Sequence, residues 1–113
     1  MSISAAPESL MALGHLLSAQ ADTVIALTPS MPAPEYAAAR IRVCIEGETG
    51  ITISRDGNDL VVRGHTEGLA ILAQNITHLG TDPTGLGPHI HIDYFPGHFY
   101  VRAGSIPLVV GIT

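Results

Sequence analysis

Residues 51–80 read ITISRDGNDLVVRGHTEGLAILAQNITHLG, and this stretch decides the fold class. Ile51 to Arg55 alternates, with Ile51 and Ile53 opposite Thr52 and Ser54, which is the period of a half-buried strand. Asp56-Gly57-Asn58-Asp59 is a strong turn signal, and Leu60 to Gly64 returns as the partner strand. Thr66 then offers an N-cap, and Glu67 complements the positive end of a helix dipole. Leu69, Leu72, Ala73 and Ile76 form an apolar stripe at helical spacing, ending near Leu79, with Gly80 as a natural stop. Strand, turn, strand and helix follow one another without a break.

Upstream, Arg40 to Glu46 alternates in the same way and makes the third strand of a meander. Pro7-Glu8-Ser9 opens a helix expected from Glu8 to Ala19, with Leu10, Leu13, Leu16 and Leu17 on its face. Thr23 to Leu27 reads as a short strand, and Thr28 to Glu35, with three prolines, as a loop. Downstream, the loop Thr81 to Pro88 leads to strands at His89 to Phe95 and Pro107 to Ile112. The chain is therefore expected to form a single α+β domain over residues 1–113, an antiparallel sheet of about six strands with two helices on one face. Alternation would turn Ile41, Val43, Ile45, Ile90, Ile92 and Tyr94 toward the helices, and Arg42, Cys44, His89, His91 and Asp93 away. A faint echo links Glu8, Leu10, Leu13 and Leu17 to Glu67, Leu69, Leu72 and Ile76 at an offset of 59. An internal repeat would produce it, and so would any two amphipathic helices that open on Glu.

Composition removes several classes of function. Hydrophobic residues are 46% of the 113, charged residues 13%, and the mean hydropathy is +0.34, which excludes a disordered chain. Five Arg, no Lys and a net charge of −5 argue against a partner bound through nucleic-acid phosphates. No apolar run approaches the roughly 18–20 residues that span a bilayer. Met1 to Leu10 has no basic segment, so no export signal is expected and the cytoplasm is the expected compartment. The single cysteine, Cys44, forbids an internal disulfide and a multi-Cys zinc site, and an inert, buried or semi-buried thiol is expected. The apolar surplus, and a last strand that is apolar on both faces from Leu108 to Ile112, make a homodimer reasonable.

Candidate chemistry concentrates in Pro88-His89-Ile90-His91-Ile92-Asp93-Tyr94-Phe95-Pro96-Gly97-His98-Phe99-Tyr100. In a strand, His89, His91 and Asp93 share one face, and two imidazoles at i and i+2 can chelate a divalent metal such as zinc, with Asp93 or His98 as a third ligand. Alternating His is equally a polar sheet face hydrated by water. Pro96-Gly97 reads as a tight turn, and the four aromatics around it as core packing around that turn, although Tyr and Arg on an exposed patch are also favoured interface anchors. A phosphate-binding Gly-rich loop with its Lys, a Gly-x-Ser-x-Gly elbow and a His-Glu-x-x-His helix are all missing from the sequence, and no residue is assigned a catalytic role.

The series Ile53-Ser54-Arg55-Asp56-Gly57, Leu60-Val61-Val62-Arg63-Gly64, the helix with Leu69, Leu72 and Ile76, the block from His89 to His98, and Pro107-Leu108-Val109-Val110 resembles a family of small bacterial immunity proteins found in polymorphic-toxin loci. Residues 1–40 carry no part of the resemblance. It implies an α+β fold and a non-catalytic protein that binds and neutralises a cognate toxin, with no cofactor. An acidic chain suits a basic toxin through long-range steering. Arg42, Arg63, His89, His91, Asp93, Tyr94, His98 and Tyr100 are the candidate docking residues. The competing readings are a divalent-metal protein or hydrolase using His89, His91, Asp93 and His98, and a dimeric accessory subunit.

Overall fold

The computed structural model describes residues 2–18, 22–26, 38, 40–47, 49–81 and 89–112. The proline-rich loop at 28–35 and most of the loop at 81–88 lie outside these residues. Among the described residues, the elements are β1 (Ser2–Ala5), α1 (Pro7–Leu17), β2 (Thr23–Ala26), β3 (Arg40–Ile45), β4 (Ile51–Asp56), β5 (Asp59–Gly64), α2 (Thr66–Thr81), β6 (His89–Ile92) and β7 (Leu108–Ile112).

The α+β class expected from the sequence stands, but the single antiparallel sheet does not. The strands form two mixed sheets, one ordered β1-β7-β6 and one ordered β2-β3-β5-β4. The expected meander is also corrected: β5 lies between β3 and β4, parallel to β3 and antiparallel to β4. Its sequence explains this placement. Leu60, Val61 and Val62 are all buried, an apolar run suited to a strand covered on both sides and flanked by two neighbours. β1 went unread because Ser-Ile-Ser-Ala is too short to display a period. It pairs parallel to β7 at the other end of the chain, Ser2 opposite Val109.

Both helices begin and end on local chemistry. α1 carries Pro7 in its first turn and Glu8 near its positive end, and the Ser18 hydroxyl donates to the His15 carbonyl at 2.8 Å to close it. α2 is capped one residue earlier than expected. The His65 Nδ1 accepts the Glu67 N–H at 3.2 Å, and the His65 carbonyl accepts the Leu69 N–H. Gly80 does not stop α2, because it is buried inside the last turn and the helix runs on to Thr81.

The core joins the helix pair to the inner faces of both sheets. Leu10, Leu13 and Leu17 of α1 meet Leu69, Leu72 and Ile76 of α2, with Ile41, Val43, Ile51, Ile53, Leu108 and Val110 from the strands. Each fully buried side chain of this size stabilises the fold by about 1.5–3 kcal/mol. The helices cross at Gly14, where a Cβ would stand 1.9 Å from Thr77 Oγ1 and 2.9 Å from the Ala73 carbonyl oxygen.

The faint sequence echo is a structural repeat. β1 and α1 correspond to β5 and α2 at the offset of 59, and β2–β3 correspond to β6–β7 at an offset of 67. The registers coincide throughout. Thr23 opposite Val43 becomes Ile90 opposite Val110, and Ile3 opposite Val110 becomes Val62 opposite Val43. The two β-α-β-β units interlock, since the first strand of each pairs in parallel with the last strand of the other. Gly14 and Ala73, which meet where the helices cross, are equivalent positions.

Candidate functional site

The structure divides the sequence-predicted site between the two sheets. Arg42 and Arg63 face away from the helices on the four-stranded sheet, as the alternation requires. His89, His91 and Asp93 are exposed as well, but His89 and His91 belong to the three-stranded sheet, with Asp93 just beyond it. One continuous face carrying all five is therefore corrected to two separate patches.

The first patch is ionic. Asp59, at the start of β5, is buried and accepts two bonds from Arg40, Nε to Oδ1 at 3.0 Å and Nη2 to Oδ2 at 2.9 Å. Arg42 lies beside it, with Nε 3.3 Å from Asp59 Oδ2 and Nη2 donating to Asp56. The hydrogen bond to Asp56, with the fields of Asp56 and Asp59, raises the Arg42 pKa and keeps the group charged. Two Arg and two Asp neutralise one another here, in an open depression beside Gly57 and Asn58. Arg63 is exposed and 3.9 Å from Glu46 Oε1, which also approaches Arg102, Nη2 to Oε2 at 3.4 Å. Cys44, a half-buried free thiol, stands opposite Arg63 in the sheet.

The second patch is aromatic. β6 ends at Ile92 rather than at Phe95, and the chain from Asp93 onward leaves the sheet. Tyr94, expected to face the helices, is 39% exposed for this reason. Phe95 is 56% and Phe99 75% exposed, so these rings do not pack in the core. Sequence reasoning missed both as surface residues. The signal that could have found them is Pro96-Gly97, because a tight turn sits at the surface and takes its neighbours with it.

The turn that carries these rings is well tied. The His98 N–H donates to the Phe95 carbonyl at 3.0 Å across Pro96-Gly97, and Gly97 takes the positive φ of +84° that this turn needs. His98 Nδ1 accepts two backbone N–H groups, from Tyr100 at 3.2 Å and Val101 at 3.1 Å. Its ring contacts Phe95, Phe99 and Tyr100, with centroids 4.6, 5.6 and 4.9 Å away. Tyr100 is only 6% exposed, and its hydroxyl accepts the Asn75 side-chain N–H at 3.0 Å, so it braces the turn against α2. Burial raises its pKa, partly offset by that bond. Just past Tyr100 the chain is stapled along β4: Ile51 N–H donates to the Tyr100 carbonyl and Arg102 N–H to the Ile51 carbonyl, both at 2.7 Å.

His89 and His91 touch edge to face at 5.0 Å, but no three His, Cys, Asp or Glu side chains converge among the described residues. What the patch offers is area: three large side chains held outward by a braced turn, beside a polar strand.

Residues 59–113 match the family model of immunity protein 32. The match takes in β5, α2, β6, the aromatic turn and β7, a little under half of the chain, and over that segment the protein is similar to an immunity protein family. No curated protein and no solved structure matches the chain. None of the described helices is long and apolar enough to cross a membrane.

Proposed function

We propose that this chain is a non-catalytic immunity protein of a polymorphic-toxin system, acting in the cytoplasm by binding and occluding a cognate toxin. The observation that carries the reading is the exposure of Tyr94, Phe95 and Phe99 on one turn inside the segment similar to immunity protein 32. Rings exposed together are costly to leave in water and are favoured anchors at protein interfaces. The docking surface of this reading is the aromatic turn with the outer face of β6: His89, His91, Asp93, Tyr94, Phe95 and Phe99. His98 and Tyr100 hold the turn in shape. The net charge of −5 favours approach to a basic toxin and sets the rate of encounter more than the final affinity.

The test is co-expression with the toxin encoded in the adjoining reading frame. The wild-type chain should restore growth, and Phe95→Asp with Phe99→Asp should abolish the rescue while the protein stays folded. Failure of the wild-type chain to rescue against any toxin of its own locus would refute the reading.

A further inference from the structure

β7 holds β6 in register, with His89 opposite Gly111 and His91 opposite Val109. The two imidazoles therefore leave the strand on the same face, and both residues are exposed. Same-face neighbours of a strand are about 6.6–6.8 Å apart along the chain. The ring centroids of His89 and His91 are closer than that, at 5.0 Å, so the rings lean toward each other. Gly111 sets no side chain against His89, and among the described residues no strand lies on the far side of β6. Neither imidazole makes a hydrogen bond or an ion pair among the described residues.

Two rings in edge-to-face contact are ordinary aromatic packing. What distinguishes this pair is that each ring brings nitrogen donors on an exposed side chain, with no protein group engaging them among the described residues. Imidazole nitrogen is a ligand for copper, nickel and zinc. With metal–nitrogen bonds of about 2.0–2.1 Å, two imidazoles at square or tetrahedral angles set their ring centroids about 4.5–5.2 Å apart. The 5.0 Å separation falls inside that span, so the two rings can reach one ion by turning, without any movement of the strand. The net charge of −5, and the exposed Asp93 that follows β6, favour a cation at this place.

We propose that His89 and His91 form a two-ligand site for one late divalent transition-metal ion, of the imidazole-preferring class that includes Cu²⁺ and Zn²⁺. Among the described residues no group of three His, Cys, Asp or Glu side chains converges. The ion therefore keeps its remaining positions for water or for a donor from another molecule, and it is held less tightly than in a three- or four-ligand centre. Mg²⁺, which takes oxygen ligands, is excluded by the donor type. The inference does not rest on the toxin reading, and either can fail alone.

Calorimetric titration of the purified, untagged chain in mildly alkaline buffer tests it, with Cu²⁺, Zn²⁺ and Mg²⁺ each used alone. Saturation at one ion per chain is expected for Cu²⁺ and, more weakly, for Zn²⁺, with no binding of Mg²⁺. His89→Ala and His91→Ala should each weaken Cu²⁺ binding at least about tenfold. His78→Ala, which removes an exposed imidazole from α2, should leave it unchanged. In amide spectra of the wild-type chain, Cu²⁺ should broaden the signals of residues 89–92 and 109–111 first. No saturation by Cu²⁺ up to about 1 mM would overturn the proposal. So would binding that survives both His89→Ala and His91→Ala, or broadening centred on His15, Cys44 or His78.

Discussion

Tyr100 shows how one side chain serves both core and surface. Its ring is buried under the aromatic turn and its hydroxyl is held by Asn75. Tyr100→Phe should cost about 0.5–1.5 kcal/mol at neutral pH, the net worth of one hydrogen bond. The folded state holds the phenolic proton more tightly than the unfolded chain, because burial raises the pKa above 10.0. That contribution is present in full below pH 10 and is lost as pH rises through the raised value. Urea unfolding between pH 8 and 11 should therefore show the gap between wild type and Tyr100→Phe shrinking at the alkaline end; a constant gap contradicts it. His98 acts at the same scale. His98→Ala leaves the Tyr100 and Val101 N–H groups without their acceptor, and hydrogen exchange at both amides should accelerate while the core amides of β5 stay protected.

Among the elements, the helix pair depends most on a single position. Gly14 lets α1 approach α2 to the point where an added methyl would overlap Thr77 Oγ1 and press on the Ala73 carbonyl. Ala is the better helix former by about 1 kcal/mol, so on propensity alone Gly14→Ala would stabilise. Overpacking costs about 1–3 kcal/mol and wins here, because one of the two contacts is backbone. A lower midpoint of thermal unfolding is expected, and a raised midpoint would refute the close crossing. Both helices were legible in the sequence because their leucines repeat over several turns. Their ends were less so: His65 took the cap assigned to Thr66, and Gly80 was absorbed into the last turn. Strand order was not legible. Alternation states which way each residue points and is silent about which strand lies alongside, so a meander in chain order is expected, although β5, with its unbroken Leu-Val-Val run, lies between β3 and β4. The candidate site suffered in the same way. The outward direction of Arg42, Arg63, His89 and His91 followed from parity alone, whereas their assignment to one sheet needed long-range pairing that no local signal encodes.

At the scale of the whole molecule, two interlocked β-α-β-β units share one core and differ outside it. Equivalent buried positions keep their character, as Leu10 and Leu69, Leu13 and Leu72, or Ile41 and Leu108 do. Equivalent surface positions do not: Val24 answers to His91, and Arg42 to Val109. One hairpin carries Arg40 and Arg42, neutralised by Asp56 and Asp59 at the adjoining ends of β4 and β5, and the other leads into an exposed aromatic turn. The segment similar to immunity protein 32 contains that second hairpin, which is why docking is placed there rather than on the ionic patch. The most direct measurement is the affinity of the purified chain for its inactivated toxin, by titration calorimetry, for wild type, Phe99→Asp and Arg40→Ala. Loss of a buried anchor should weaken binding by about 2 kcal/mol or more, roughly thirtyfold, for Phe99→Asp, with Arg40→Ala close to wild type. Binding that ignores Phe99→Asp and falls with Arg40→Ala would contradict the account.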